Sequence, residues 1–260
     1  MKQHRLIPFT VFSILAIAIS ACAPGEAPVP AEAPPELAPE EAEIAAPATE
    51  PPAIDLGACS NPFYPVGEGR SWDYLVTSGD ETSEIRFVQK DVSPGTFTHV
   101  MTSGDVTTEI RWTCGPDGLF SSEDARMNFA PIPNIEIETL DVSGVAIPPA
   151  DKWQVGYSWE TKFNVRMAMT FGDGQVEGEG EYTVVNTIAA MEPVSVPAGS
   201  YENAYRVDAQ ATIKFSIMGI ETEFSSPYSS WFVEGVGMVR SASGDAEMPY
   251  SMELIALGEE

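Results

Sequence analysis

Residues 205–217, YRVDAQATIKFSI, alternate without a break. Tyr205, Val207, Ala209, Ala211, Ile213, Phe215 and Ile217 fall on one face, and Arg206, Asp208, Gln210, Thr212, Lys214 and Ser216 on the other. Strict period-two patterning of this kind is the signature of a half-buried β-strand. Thirteen such residues at about 3.3 Å each make a strand of roughly 43 Å, so the sheet that contains it must coil or close to bury its apolar face. No amphipathic helical pattern of ten or more residues is available elsewhere to cover that face. The predicted fold is therefore all-β: a strongly curved antiparallel meander, a half-barrel or open barrel, of about ten strands.

Turn signals organise the rest of this region. Residues 77–87, TSGDETSEIRF, recur 25 positions later as residues 102–112, TSGDVTTEIRW, and Gly-Asp turns stand again at Gly172-Asp173-Gly174 and Ser243-Gly244-Asp245. Each predicts a tight β-hairpin. Register is testable because a correct two-residue loop sets apolar residues opposite apolar ones. A loop at Gly79-Asp80 pairs Trp72 with Phe87, Asp73 with Arg86 and Tyr74 with Ile85, and one at Gly104-Asp105 pairs Phe97 with Trp112 and His99 with Ile110. A loop at Asp173-Gly174 pairs Phe171 with Val176, Val165 with Tyr182 and Met167 with Gly180.

The β-domain is expected over residues 57–260, with a possible internal duplication (57–128 and 150–258). Gly69-Arg70-Ser71-Trp72-Asp73 resembles Gly156-Tyr157-Ser158-Trp159-Glu160, and the Pro-rich passage from Ala130-Pro131 to Ile147-Pro148-Pro149 would connect the halves. Before the domain the composition changes. From Ala23 to Leu56 there are nine Pro, ten Ala, seven Glu and one Asp, with no Lys, Arg or aromatic residue. Such a segment has too little apolar bulk to offset the entropy of ordering, so residues 22–56 read as an extended, disordered tether. Residues 1–21 read as a signal peptide, with Lys2, His4 and Arg5 ahead of the apolar stretch Leu6–Ile19. Ile19-Ser20-Ala21-Cys22 matches a lipobox, which makes Cys22 the expected site of acylation and the membrane, reached through that lipid, the expected partner.

Cys59 and Cys114 are the two cysteines left over. In an exported chain such a pair is expected as a disulfide, since two thiols without neighbouring histidines cannot complete a zinc shell. A formal charge of −26 repels phosphate backbones, so nucleic acid is not an expected partner. The chain after Cys22 has a single histidine, His99, on the aromatic face of a predicted strand, where it is expected to be packed and satisfied. With no Gly-x-Ser-x-Gly elbow, phosphate loop or EF-hand spacing, no enzymatic activity, metal or cofactor is expected. Glu177, Glu179 and Glu181 alternate along one strand face and are expected to be solvated.

Val66-Gly67 through Trp72, the turn Val194-Ser195-Val196-Pro197-Ala198-Gly199-Ser200-Tyr201, and Trp231-Phe232-Val233-Glu234-Gly235-Val236-Gly237-Met238-Val239 carry a family resemblance. They look like the V-G-x-x-W opening, V-P-A-G-[ST]-[FY] turn and W-[FY]-x-x-G-V-G-[LM]-[VI] closing hairpin of an uncharacterised family of bacterial envelope lipoproteins. That family is in turn remotely similar to the LolA-like lipoprotein carriers, and this likeness implies a half-barrel whose concave apolar face holds acyl chains.

The expected function is a non-enzymatic lipoprotein of the cell envelope, binding an apolar ligand or an envelope protein on a curved sheet. The candidate ligand residues are Met167, Met169, Tyr205, Ala209 and Ala211, where thioethers lie opposite glycines and small residues leave room. The alternative is a structural or scaffolding module whose core is packed solid.

Overall fold

In the computed structural model, residues 56–121, 135–171, 174–217, 219–243 and 249–259 are described. Cys22, the signal peptide and the tether up to residue 55 lie outside them. The described chain forms twelve antiparallel strands: β1 Arg70–Ser78, β2 Glu81–Lys90, β3 Thr96–Ser103, β4 Val106–Gly115, β5 Gly118–Phe120, β6 Ile135–Gly144, β7 Ser158–Phe171, β8 Gly174–Val196, β9 Gly199–Ile217, β10 Ile220–Val233, β11 Gly237–Ser243 and β12 Tyr250–Glu259. The only helical elements among the described residues are two three-residue 3₁₀ turns, Gly57–Cys59 and Ala150–Lys152.

The expected meander is there, with twelve strands rather than ten. Sheet order is β5-β4-β3-β2-β1-β12-β11-β10-β9-β8-β7-β6, so every consecutive pair is adjacent except β5 and β6. Those two form the edges, and the first strand, β1, pairs with the last, β12. The sequence reading assigned residues 130–149 to a connector, yet β6 lies within them. Its Ile137 and Val142 face inward between flanking prolines, and a bulge between Thr139 and Asp141 interrupts the alternation that would have revealed it. Three-residue β5 is too short to carry a pattern.

The barrel is nearly closed. Across the gap between edges, the Leu119 N–H donates to Ile147 O at 2.8 Å and the Ala146 N–H donates to Leu119 O at 2.8 Å. Gly118, at φ +132°, makes this approach possible, because a Cβ there would stand 2.2 Å from Ile147 O. At the end where β4 finishes and β7 begins, the segment before β1 lies across the opening. Phe63 stacks on Trp153 with centroids 4.4 Å apart and meets Tyr205 edge-on, while Tyr64 packs on Trp112 and Phe97. The Asn61 amide donates to Pro148 O and the Gly235 N–H to Pro62 O. A disulfide joins Cys59 to Cys114 of β4, Cα atoms 5.0 Å apart, and ties this plug to the wall.

Register follows the turn residues in the first two hairpins: Trp72↔Phe87, Tyr74↔Ile85, Phe97↔Trp112 and His99↔Ile110 all pair as expected. The β7–β8 hairpin departs by two residues. Phe171 pairs with Gly174, Val165 with Gly180 and Met167 with Gly178. A two-residue slip leaves every side chain on its own face, so alternation could not distinguish the two registers. At Gly180 a Cβ would stand 2.6 Å from Lys214 O and 2.9 Å from the Phe215 Cβ. Glycine there lets β9 press close against β8, which favours sheet coiling over an opening for a ligand.

Candidate functional site

Inward-facing residues of the barrel behave in two ways. Phe163, Val165 and Met167 of β7, Tyr182 and Val184 of β8 and Ala209 of β9 form a packed cluster, with Val165 fully buried and Tyr182 at its border with the chamber. Elsewhere the same alternation surrounds empty space. A chamber of about 910 Å³ runs from Trp112, Trp159 and Ile147 above the plug to Ser78, Gly79 and Tyr250 at the opposite end, where the lining residues are exposed to solvent. That volume falls in the range of small-molecule sites, roughly 300–1,000 Å³.

Large side chains hold this part of the barrel open. Trp72 and Tyr74 of β1, Phe87 of β2, Met101 of β3 and Met252 of β12 stand along one side. Their polar atoms are tied to the backbone: Trp72 Nε1 donates to Val236 O at 2.8 Å, and the Tyr74 hydroxyl to Met238 O at 2.7 Å. Burial, aided by the nearby Tyr201 and Tyr250 phenols, pushes the Tyr74 phenol well above its ordinary pKa. Next to them in the sheet, β10 and β11 carry hydroxyls, among them Ser230, which donates to Ser241 at 3.1 Å.

No Asp, Glu, Lys or Arg is among the described residues that line the chamber. Its one ionisable imidazole is kept neutral. His99 Nδ1 lies 3.2 Å from the Tyr64 hydroxyl and Nε2 lies 3.0 Å from Gln89 Nε2, inside a ring of Trp72, Phe87, Phe97 and Trp112. Desolvation lowers its pKa from 6.5 to about 3. This is the packed histidine expected from the sequence, and it has no acidic partner to poise it as a base.

Charges stay on the outer face. Arg166 meets Glu138 at 2.9 Å, and Arg206 bridges Glu192 and Asp208 beside Trp231, whose ring also lies under Arg240. The Glu181 carboxyl, hydrogen-bonded by Lys162, is held below its usual range. Glu177 and Glu179 are exposed, as the alternation of acids implied.

The candidate ligand residues do not converge. Ala211 lines the chamber. Met167 and Ala209, 5% exposed each, belong to the closed cluster, and Tyr205 sits at the plug, bordering a separate open depression of about 690 Å³ that also touches Phe63 and Met191. Met169 pairs with Ile135 and Val176, and its side chain is outside what the structure describes. Of the small residues that suggested a pocket, Gly180 and Ala209 lie where strands pack closely while Ala211 lines the chamber, and the hollow is framed by aromatic rings that read in the sequence as ordinary cross-strand pairs. Asn186 was missed altogether. Its signal was there: a polar residue at an inward position, between Val184 and Ile188, in the alternation of β8.

Fold and site together define a nearly closed antiparallel β-barrel, plugged at one end by the segment before β1 and hollow, with no charged side chain among the described residues of its lining. No protein-family model matches the sequence, and no curated protein does. Two solved structures have a similar fold. One is a candidate exported protein with a YmcC-like fold from Bacteroides fragilis NCTC 9343, with a TM-score of 0.51 and 11% identity over 77% of this chain and 100% of that one. The other is a candidate lipoprotein from Parabacteroides distasonis ATCC 8503, with a TM-score of 0.51 and 14% identity over 76% of this chain and 99% of that one. At such identities the likeness is one of fold.

Proposed function

We propose that this chain is a non-enzymatic lipoprotein of the cell envelope, anchored through an acylated Cys22, that holds an apolar ligand inside its barrel. The observation that carries the reading is the chamber of about 910 Å³ with no charged side chain among its described lining residues. An empty apolar hollow forfeits dispersion contacts, so a fold that keeps one open between aromatic walls is better matched to an occupant than to bare support. Met101, Met238 and Met252 add adaptable surface of the kind that accepts varied apolar shapes. Export and anchoring are supported by the basic n-region, apolar stretch and lipobox of residues 1–22, and by the descriptions of the two structural neighbours as exported and lipoprotein.

Fluorescence of diphenylhexatriene, a hydrocarbon probe, tests the chamber, together with native mass spectrometry of protein extracted from membranes. Saturable one-to-one uptake and a co-purifying small apolar mass are expected. No uptake, with bare protein mass alone, would leave the scaffolding module as the better reading. The anchor has its own test: palmitate labelling should vanish in Cys22→Ala, and its persistence would place the lipid elsewhere.

A further inference from the structure

The chamber wall carries an inward-facing amide that no described residue satisfies. Asn186 stands on β8 opposite Trp159 of β7 and Ala209 of β9, and lines the chamber at 7% exposure. Its side chain makes no hydrogen bond to any described residue. Other buried polar groups on the same wall are paired, including His99 with Tyr64 and Gln89, Ser230 with Ser241, and Trp159 Nε1 with Ala146 O. A second orphan joins Asn186: Trp112 Nε1 is buried without an acceptor, on a side chain that also lines the chamber. Trp112 and Trp159 share one cluster above the plug, so the unsatisfied groups belong to the deep part of the cavity and not to its exposed rim.

Buried donors and acceptors left unmade are costly and rare. A wall that keeps an amide unpaired, while His99, Ser230 and Trp159 on the same lining have partners, is suited to a polar group brought in from outside. Resting on the apolar-ligand reading above, we infer that the chamber takes a neutral amphiphile, an apolar chain bearing one uncharged hydrogen-bonding group such as a primary amide, ester or alcohol, and that Asn186 grips that group.

The amide of Asn186 both donates and accepts, so it can meet a ligand amide with two hydrogen bonds and an ester or alcohol with one. An ionised headgroup has no counter-charge here: the described lining carries none, His99 stays neutral, and the chain's formal charge of −26 opposes the approach of an anion. The chemistry of the site therefore separates amides and alcohols from carboxylates of the same chain length.

Displacement of bound diphenylhexatriene by decanamide, decan-1-ol and decanoate at pH 8 tests this on the wild type, Asn186→Leu and Asn186→Gln. Asn186→Leu should bind diphenylhexatriene within about twofold of wild type but lose about tenfold in decanamide affinity, and Asn186→Gln should recover most of that loss. If the leucine variant fails to fold, Asn186→Ser carries the same comparison, since a hydroxyl cannot replace the paired bonds to an amide. Unchanged decanamide affinity in Asn186→Leu, or decanoate binding as well as decanamide in the wild type, overturns the inference while leaving an apolar site in place. No diphenylhexatriene uptake by the wild type overturns both.

Discussion

Two stretches of inward-facing wall, alike in pattern, differ in what they enclose. On β7, Phe163, Val165 and Met167 are 1%, 0% and 5% exposed and touch the facing residues of β8 and β9. On β1 and β2, Trp72, Tyr74 and Phe87 are 5%, 5% and 9% exposed, yet they face the chamber. Burial from outside is the same in both. Side-chain size opposite each wall sets the difference: Gly180 and Ala209 let the long strands β7–β9 coil until their apolar face meets itself, whereas rings on β1–β4 hold the walls apart.

The comparison breaks most visibly with Phe163→Ala. In a closed cluster the removed ring leaves a new void, for an expected loss of about 3–5 kcal/mol in denaturant unfolding, while Phe87→Ala merges its space with an existing hollow and loses mainly the transfer contribution, about 2 kcal/mol. Equal losses would mean that the chamber wall is packed as tightly as β7. Breaking the plug's tether by Cys59→Ser with Cys114→Ser should lower stability by about 4 kcal/mol on the chain-entropy account of a 55-residue separation. Two alkylatable thiols in the unreduced native protein would remove the basis for that figure.

Acid sharpens the comparison from the hollow side. The unfolded chain protonates its histidine near pH 6.5 and the folded chain holds His99 neutral down to about pH 3, so this contribution is full above pH 6.5 and is lost as pH falls towards 3. Unfolding free energy measured across that window should fall by up to about 1.4 kcal/mol per pH unit more steeply in wild type than in His99→Gln. Parallel profiles would place solvent at the imidazole. The smallest effects distinguish residues only two apart: Ala209→Trp should cost about 1–3 kcal/mol by overpacking the cluster, while Ala211→Trp should be near neutral and abolish diphenylhexatriene uptake. Similar costs at both positions would erase the boundary between packed and hollow wall.

Much of this was legible. Turn chemistry at Gly79-Asp80 and Gly104-Asp105 led to pairings that the structure repeats residue for residue, because a tight loop leaves few registers and the aromatic faces select among them. The Asp173-Gly174 loop was off by two because alternation is blind to an even slip, and β6 was hidden by its bulge. Of the expected pocket residues Ala211 lines the chamber, while Met167 and Ala209 are packed, for a related reason. Alanine and glycine on an apolar face are compatible with a cavity and equally with close strand approach, and the backbone distance at Gly180 shows the second.

By itself the sequence determined what local physics controls: strand alternation, hairpin turns, the acidic exterior, the pairing of Cys59 with Cys114 and the inward, neutral place of His99. Only the tertiary structure decided where β5 and β6 nearly close the barrel, how residues before β1 plug one end, and which wall is hollow. These depend on contacts between residues far apart in the chain, such as Leu119 with Ile147 and Phe63 with Trp153. Period-two patterning states which side chains turn inward; how far apart the inward faces stand is set by coiling and closure of the whole sheet.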